Sequence, residues 1–321
     1  MRGNLHAAFD VAGAGNGAWS RWCDTRRRKG EPTGNTNFDL NRRVSPRPYR
    51  GATMFEPNPF GKQETVNIIE TRPRTTRIPA NVRAIRILPD PNDWKAKPLL
   101  DDIDALIGRL PHETVELIDI HYNSRVPRLP CLDNQNSIRY AHIGAHKVRD
   151  YGHLFELTRL ESLFLVSVPL PDLSQIRSRR LKYLRLIRGR IKHFDVPAAT
   201  VFLQRCTNLR TFGKVNIINL ILESCRRADL ASLAMVRGLR QLRLLAPGPV
   251  PSIDALCGCK SLESLVITAA PLSETDFRVL GNMPSLKWIF LTVGDTRVYE
   301  RFCVFSRAQA LVAQTILSRD G

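Results

Sequence analysis

One apolar spacing returns along this chain of 321 residues: aliphatic side chains at positions 0, 3 and 5 of a short unit. It fits Val82, Ile85, Ile87; Val115, Ile118, Ile120; Ile138, Ala141, Ile143; and Leu160, Leu163, Leu165. It continues at Leu181, Leu184, Leu186; Ala198, Val201, Leu203; Ile217, Leu220, Leu222; Leu239, Leu242, Leu244; Leu262, Leu265, Ile267; and Leu286, Ile289, Leu291. From 115 to 286 successive starts lie 23, 22, 21, 17, 19, 22, 23 and 24 residues apart. In extended chain alternate side chains share a face, so positions 3 and 5 point one way and positions 2 and 4 the other. Position 0 precedes that strand, in a turn that also faces inward. A unit this small cannot cover its own apolar residues. Stacking against like units covers them and pairs the strands in parallel.

A second apolar pair lies nine and six places upstream of several units: Leu129/Leu132, Tyr151/Leu154, Leu230/Leu233, Ile253/Leu256 and Phe277/Leu280. A step of three predicts one inward-facing helical or 3₁₀ turn. Before Leu181 and Ile217 the pair slides by one place, to Leu173/Ile176 and Leu209/Phe212, in short units whose outer sides should be tighter and less helical.

The pattern resembles that of the leucine-rich-repeat family, L-x-x-L-x-L-x-x-N/C-x-L, over roughly residues 80 to 294, and most closely in the units at 160, 181, 239 and 262. The resemblance implies an α/β fold: a curved right-handed solenoid with parallel strands on the concave face and short helices and 3₁₀ turns on the convex face. In that family the asparagine-or-cysteine position bonds backbone groups of the turn, and here it holds Asn123, Cys206 and Cys225. These three are the expected structural ladder. Elsewhere that position holds Asp90, His146, Val168, Gly189, Pro247, Ala270 and Gly294, which implies an irregular solenoid without a continuous polar ladder.

The ends differ from the middle. Residues 1–53 contain "GAGNG", "TRRRKGEPTGNTN" and "RRVSPRPYRG", rich in turn formers and arginine, and are expected to be disordered because they bury too little to offset the entropy of ordering. Two readings of them stand: a basic tail that touches an anion, or an extension upstream of a start at Met54. Residues 54–114 are read as an N-terminal cap and first repeat, with a helix over 98–111, and residues 115–294 as the repeats. Residues 295–321 are read as a helical C-terminal cap, from the spacing of Ala308, Leu311, Val312 and Ile316.

The formal charge of +18 favours acidic partners: an acidic protein, nucleic acid or an anionic membrane surface. No apolar run approaches the roughly 20 residues of a membrane span. Seven cysteines form no compact framework, which points to a reducing, cytoplasmic compartment. No nucleotide-loop, zincin or hydrolase motif occurs, so the expectation is a non-enzymatic protein with no cofactor and no metal. "HIGAH" places His142 and His146 four apart, but across a strand end rather than on one helix face. "CGC" at Cys257 and Cys259 lacks partners at ligand spacing, and "CLD" at Cys131 overlaps the inward Leu132.

The outward strand positions carry the candidate site. Position 4 runs Arg86, Asp119, His142, Phe164, Arg185, Phe202, Ile221, Arg243, Val266 and Phe290, with Tyr140, Lys182, Tyr183, Arg240 and Trp288 beside it. Aromatics and arginines on an open sheet suit a protein-binding hot spot. The run 177–193 holds eight lysines or arginines and no acid, including Arg177, Arg179, Arg180, Arg188 and Arg190. The leading expectation is a module that grips an acidic protein on its concave face, an adaptor or antidote by analogy. The alternative is a nucleic-acid or other polyanion binder using the basic run, with Tyr183 or Phe202 stacking on bases.

Overall fold

A computed structural model describes residues 62–93, 97–122, 126–145, 147–170, 172–246, 253–268, 272–293 and 312–317. Its elements, in chain order, are β1 (Thr65–Ile69), β2 (Ala84–Leu88), α1 (Leu100–Ile107), β3 (Leu117–His121), β4 (Tyr140–Gly144), α2 (Gly152–Phe155), β5 (Ser162–Val166) and β6 (Tyr183–Ile187). They continue with β7 (His193–Phe194), β8 (Thr200–Gln204), β9 (Thr211–Phe212), β10 (Asn219–Glu223), β11 (Gln241–Leu245), β12 (Ser264–Thr268), α3 (Glu274–Gly281), β13 (Trp288–Val293) and β14 (Val312–Leu317). Twelve strands make one parallel sheet in the order β1-β2-β3-β4-β5-β6-β8-β10-β11-β12-β13-β14.

All ten units found by spacing contribute one strand each to this sheet, starting at position 2. Each position pairs with the same position of its neighbour, so Leu163, Leu184, Val201, Leu220, Leu242, Leu265 and Ile289 lie opposite one another in succession. Positions 0, 3 and 5 are buried throughout, as are the upstream pairs from Leu129/Leu132 to Phe277/Leu280, except that Ile176 is only partly buried. The upstream turns are α2, 3₁₀ turns at Leu230–Met235 and Ile253–Gly258, and α3, which is closed by a capping box between Ser273 and Asp276. In the two shortest units the outer side is a strand instead, β7 pairing with β9.

The backbone explains the fixed register. At most strand entries one position-1 carbonyl accepts two N–H groups of the next unit: Arg139 O from Glu161 and Ser162, Glu161 O from Lys182 and Tyr183. At the exit the position-7 N–H donates to the next unit's position-6 carbonyl: Ser167 to Ile187, Arg188 to Gln204, Arg205 to Glu223, Ser224 to Leu245 and Ala246 to Thr268, at 2.7–3.1 Å. All five of these position-7 residues have positive φ, between 46° and 56°. A left-handed backbone costs a residue with a Cβ roughly 1–2 kcal/mol. The turn that carries the chain off the sheet imposes it five times running. Glycine adopts it without that strain, so Ala246→Gly should stabilise the fold by about 1 kcal/mol, read as a higher urea midpoint. An unchanged or lower midpoint would show that the turn is relaxed.

Two elements differ from the expectations. A strand, β1, precedes the unit at 82. Its inward residues Val66 and Ile68 are buried, but its position 0 is Gln63, which hid the unit from an apolar template. Residues 312–317, expected as part of a helix, form strand β14 paired to β13. Val312, Thr315 and Ile316 are β-branched and favour strands, and the open edge of β13 offers the hydrogen bonds that a helix would make internally. The remainder of the expected cap, and residues 1–53, lie outside the described residues. Among the described residues no helix is long and apolar enough to cross a membrane.

Candidate binding face

Position 4 of consecutive strands does not form an open row. Strands in a sheet lie about 4.8 Å apart, which is also a stacking distance for flat groups. The ring of His142 lies on Phe164 at 4.4 Å, with the planes 2° apart. The Arg185 guanidinium sits 4.9 Å from the Phe164 ring centre and 4.5 Å from that of Phe202. The column Asp119–His142–Phe164–Arg185–Phe202 therefore fills itself. Asp119, Phe164 and Phe202 are only 7%, 8% and 8% exposed. The expectation that Phe164 and Phe202 stand free as hot-spot anchors is corrected on this point, because in-register neighbours cover their faces. Burial lowers the pKa of Arg185, and likewise that of Arg243 further along. Trp288 and Phe290 stack on each other at 6.2 Å, and Arg139 lies 5.5 Å over Tyr140. Among the described residues of the face the exposed aromatic is Tyr183, at 57%.

At the start of the column Arg86 Nε donates to Asp119 Oδ2 at 3.1 Å. His121 Nε2 and His142 Nδ1 lie 2.9 and 3.0 Å from Asp119 Oδ1. Burial alone would push the Asp119 carboxyl up; the two imidazoles outweigh it and hold it well below the usual carboxylate range. Burial also lowers the His142 pKa.

Position 1, at the entry of the strands, carries a charge ladder that spacing did not announce. Glu64, Arg83, Glu116, Arg139, Glu161 and Lys182 alternate in sign, and each pairs with the next. The distances are 3.8 Å for Arg83–Glu64, 3.4 Å for Arg139–Glu116 and 2.7 Å for both Arg139–Glu161 and Lys182–Glu161, with Arg83 and Glu116 in close contact. Arg139 and Lys182 hold the Glu161 carboxyl down to about 2. The ladder stops at Ala199 and Ile218, then resumes as Arg240–Glu263 at 4.0 Å and Lys287–Glu263 at 3.2 Å. Lys182 and Arg240, expected to face a partner from the concave side, are thus members of this entry ladder. Ile218 in the gap is 46% exposed.

The basic run at 177–193 is divided by β6. Arg177, which pairs with Glu156 at 2.7 Å, Arg179 and Arg180 lie at the entry; Arg188 and Arg190 lie at the exit. A strand of five residues separates the two groups by about 16 Å. Register gives the exit arginines new company: Arg205 after β8, and Arg226 and Arg227 after β10. All five are exposed and form no ion pair among the described residues. Arg205, Arg226 and Arg227 were absent from the sequence reading; aligning positions 7 to 10 of the units would have found them.

Both cysteine positions are buried. Cys206 Sγ donates to Leu186 O at 3.6 Å, and Cys225 Sγ to Leu203 O at 3.3 Å. Each thiol thus reaches back to the position-5 carbonyl of the preceding unit. The neighbouring Cys225 thiol and burial both push the Cys206 thiol up. Asp90, in the same position of an earlier unit, accepts from Thr71 Oγ1 at 2.6 Å and from the Asn92 N–H at 2.8 Å. Asn123, the third expected ladder residue, and His146 lie outside the described residues.

No protein-family model matches the chain, and no curated protein matches it. Among solved structures it is similar to an internalin, InlF, of Listeria monocytogenes, at 15% identity and a TM-score of 0.36 over 75% of this chain and 82% of that one. It is similar to the functional domain of InlJ from the same organism, which includes a cysteine ladder, at 12% identity and a TM-score of 0.39 over 66% of this chain and 46% of that one. It is also similar to a leucine-rich-repeat protein of Leptospira interrogans, at 12% identity and a TM-score of 0.32 over 74% and 72% of the two chains. Scores and identities at this level carry no assignment of function. The chain's own geometry places it: one strand per unit, an unbroken position-to-position register, aliphatic residues inward and thiols reaching across units make it a leucine-rich-repeat solenoid.

Proposed function

We propose that this protein is a non-enzymatic binding module for an acidic protein, and that the contact centres on the units from β6 to β10. One observation carries the reading: Arg188, Arg190, Arg205, Arg226 and Arg227 stand exposed along one edge of three adjacent strands, with no ion pair among the described residues. Tyr183 and Ile218 are exposed large hydrophobic residues of the same three units. Charge at the margin speeds encounter and sets register, while apolar and aromatic groups hold the complex. A solenoid of stacked units presents such a surface preformed, so binding orders little of it. Polyanion binding remains the competing reading, and it loses one support: Phe202 is covered by Arg185 and cannot stack a base. A reducing, cytoplasmic setting belongs to the same proposal and agrees with five free cysteines among the described residues.

The test uses the full chain as bait in nuclease-treated lysate at moderate salt, with purified candidates then measured directly. Arg188→Glu, Arg190→Glu and Arg205→Glu together should weaken a direct protein complex by about tenfold or more, and Tyr183→Ala by roughly thirtyfold, while circular dichroism stays unchanged. Undiminished binding by both variants rejects this edge. Binding that vanishes with nuclease, or falls as a high power of salt, assigns the edge to nucleic acid instead.

A further inference from the structure

We propose that Asp119, His121 and His142 form a binding site for a divalent transition metal of the zinc class at the outward face of β3 and β4. Each of the three residues offers one ligand atom, and these atoms all lie within 4.8 Å of one another. His121 Nε2 and His142 Nδ1 lie 2.9 and 3.0 Å from Asp119 Oδ1. Tetrahedral zinc with bonds of about 2.0–2.2 Å spaces its ligands about 3.4 Å apart, so an ion fits once the imidazoles move outward by a few tenths of an ångström. Two imidazoles and one carboxylate are a borderline donor set suited to zinc and its neighbours rather than to calcium or magnesium.

Three features set this cluster apart from an ordinary surface ion pair. Asp119 Oδ1 is buried, and two ring nitrogens from different strands converge on this one oxygen. Its sister oxygen is held by Arg86, which leaves Oδ1 as the oxygen turned to the imidazoles. Gly144 makes room for His121: a Cβ there would sit 2.5 Å from the His121 Nδ1. The Arg86 charge opposes a cation, but it is committed to Oδ2. An orienting partner on a ligating carboxylate is a usual feature of metal sites.

The nearest competitor, Cys131, Asp133 and His153, also groups potential ligands. There Asp133 is 56% exposed and already pairs with His153 at 2.7 Å. It supplies a control rather than a second proposal.

The experiment is a zinc titration of the chelator-treated full chain with Cys131→Ala, followed by competition with a chromophoric chelator, and by cobalt(II) substitution to read the visible bands of a tetrahedral ion. One equivalent should bind and raise the melting temperature. His121→Ala should weaken it by about tenfold or more, and this position is open enough for the variant to fold. Gly144→Ala keeps all three ligands but displaces the His121 ring, so it should weaken binding comparably. No saturable zinc binding, or binding unaltered in both variants, overturns the site. Cobalt bands of a six-coordinate ion overturn its proposed geometry.

Discussion

Replacing Leu242 with alanine should lower the unfolding free energy by about 2–5 kcal/mol. Leu242 is fully buried, between Leu220 and Leu265 in register on either side. Truncation removes its transfer free energy and leaves a cavity. The neighbouring strands are held by hydrogen bonds at both entry and exit, so they cannot close in to fill it. The adjacent, outward Gln241 is exposed, and Gln241→Ala should change stability by no more than about 0.5 kcal/mol. Urea unfolding separates the two: the Leu242→Ala midpoint should drop with little change in slope. Equal, small effects at both positions would show that inward and outward faces are not distinguished, and the stacked core would be wrong.

Stability should also fall as pH rises from about 5 to 8, because of Glu70. This side chain follows β1 and is fully buried. Burial pushes its pKa up to about 7, with the Asp90 backbone partly opposing and the Asp90 charge adding to the rise. The ordinary value is 4.5, so between 4.5 and about 7 the native state holds a proton that the unfolded chain releases. The stability this contributes is present below 4.5 and is lost as pH passes through the native value. The full difference is about 3 kcal/mol. Glu70→Gln removes the titration. It should match the wild type at pH 5 to within about 1 kcal/mol and exceed it by up to about 3 kcal/mol at pH 8. Comparing the two proteins also cancels every other titrating group that they share. A wild-type-minus-variant difference that stays constant from pH 5 to 8 would place Glu70 in water.

The spacing of aliphatic residues was enough to locate ten strands, their inward faces and the upstream turns, because alternation along a strand is a local property of the chain. The shared place of Cys206 and Cys225 was legible for the same reason: their offset from the strand is constant. The unit at 63 was not legible, since Gln63 breaks the template. Val312–Leu317 was misread as helical, because its apolar spacing fits a helix when the open edge of β13 is left out.

What the sequence by itself determined is therefore which side chains face the core and which face away. What the outward side chains touch was decided only in three dimensions. Residues 17 to 33 places apart become neighbours about 4.8 Å apart when strands register. That contact buries Phe164 and Phe202, pairs Lys182 with Glu161, splits the run at 177–193 and recruits Arg205. It also brings His142 beside His121, two residues of neighbouring strands that linear spacing did not connect. Periodicity reports the direction of a side chain, whereas its company depends on the length of every intervening turn.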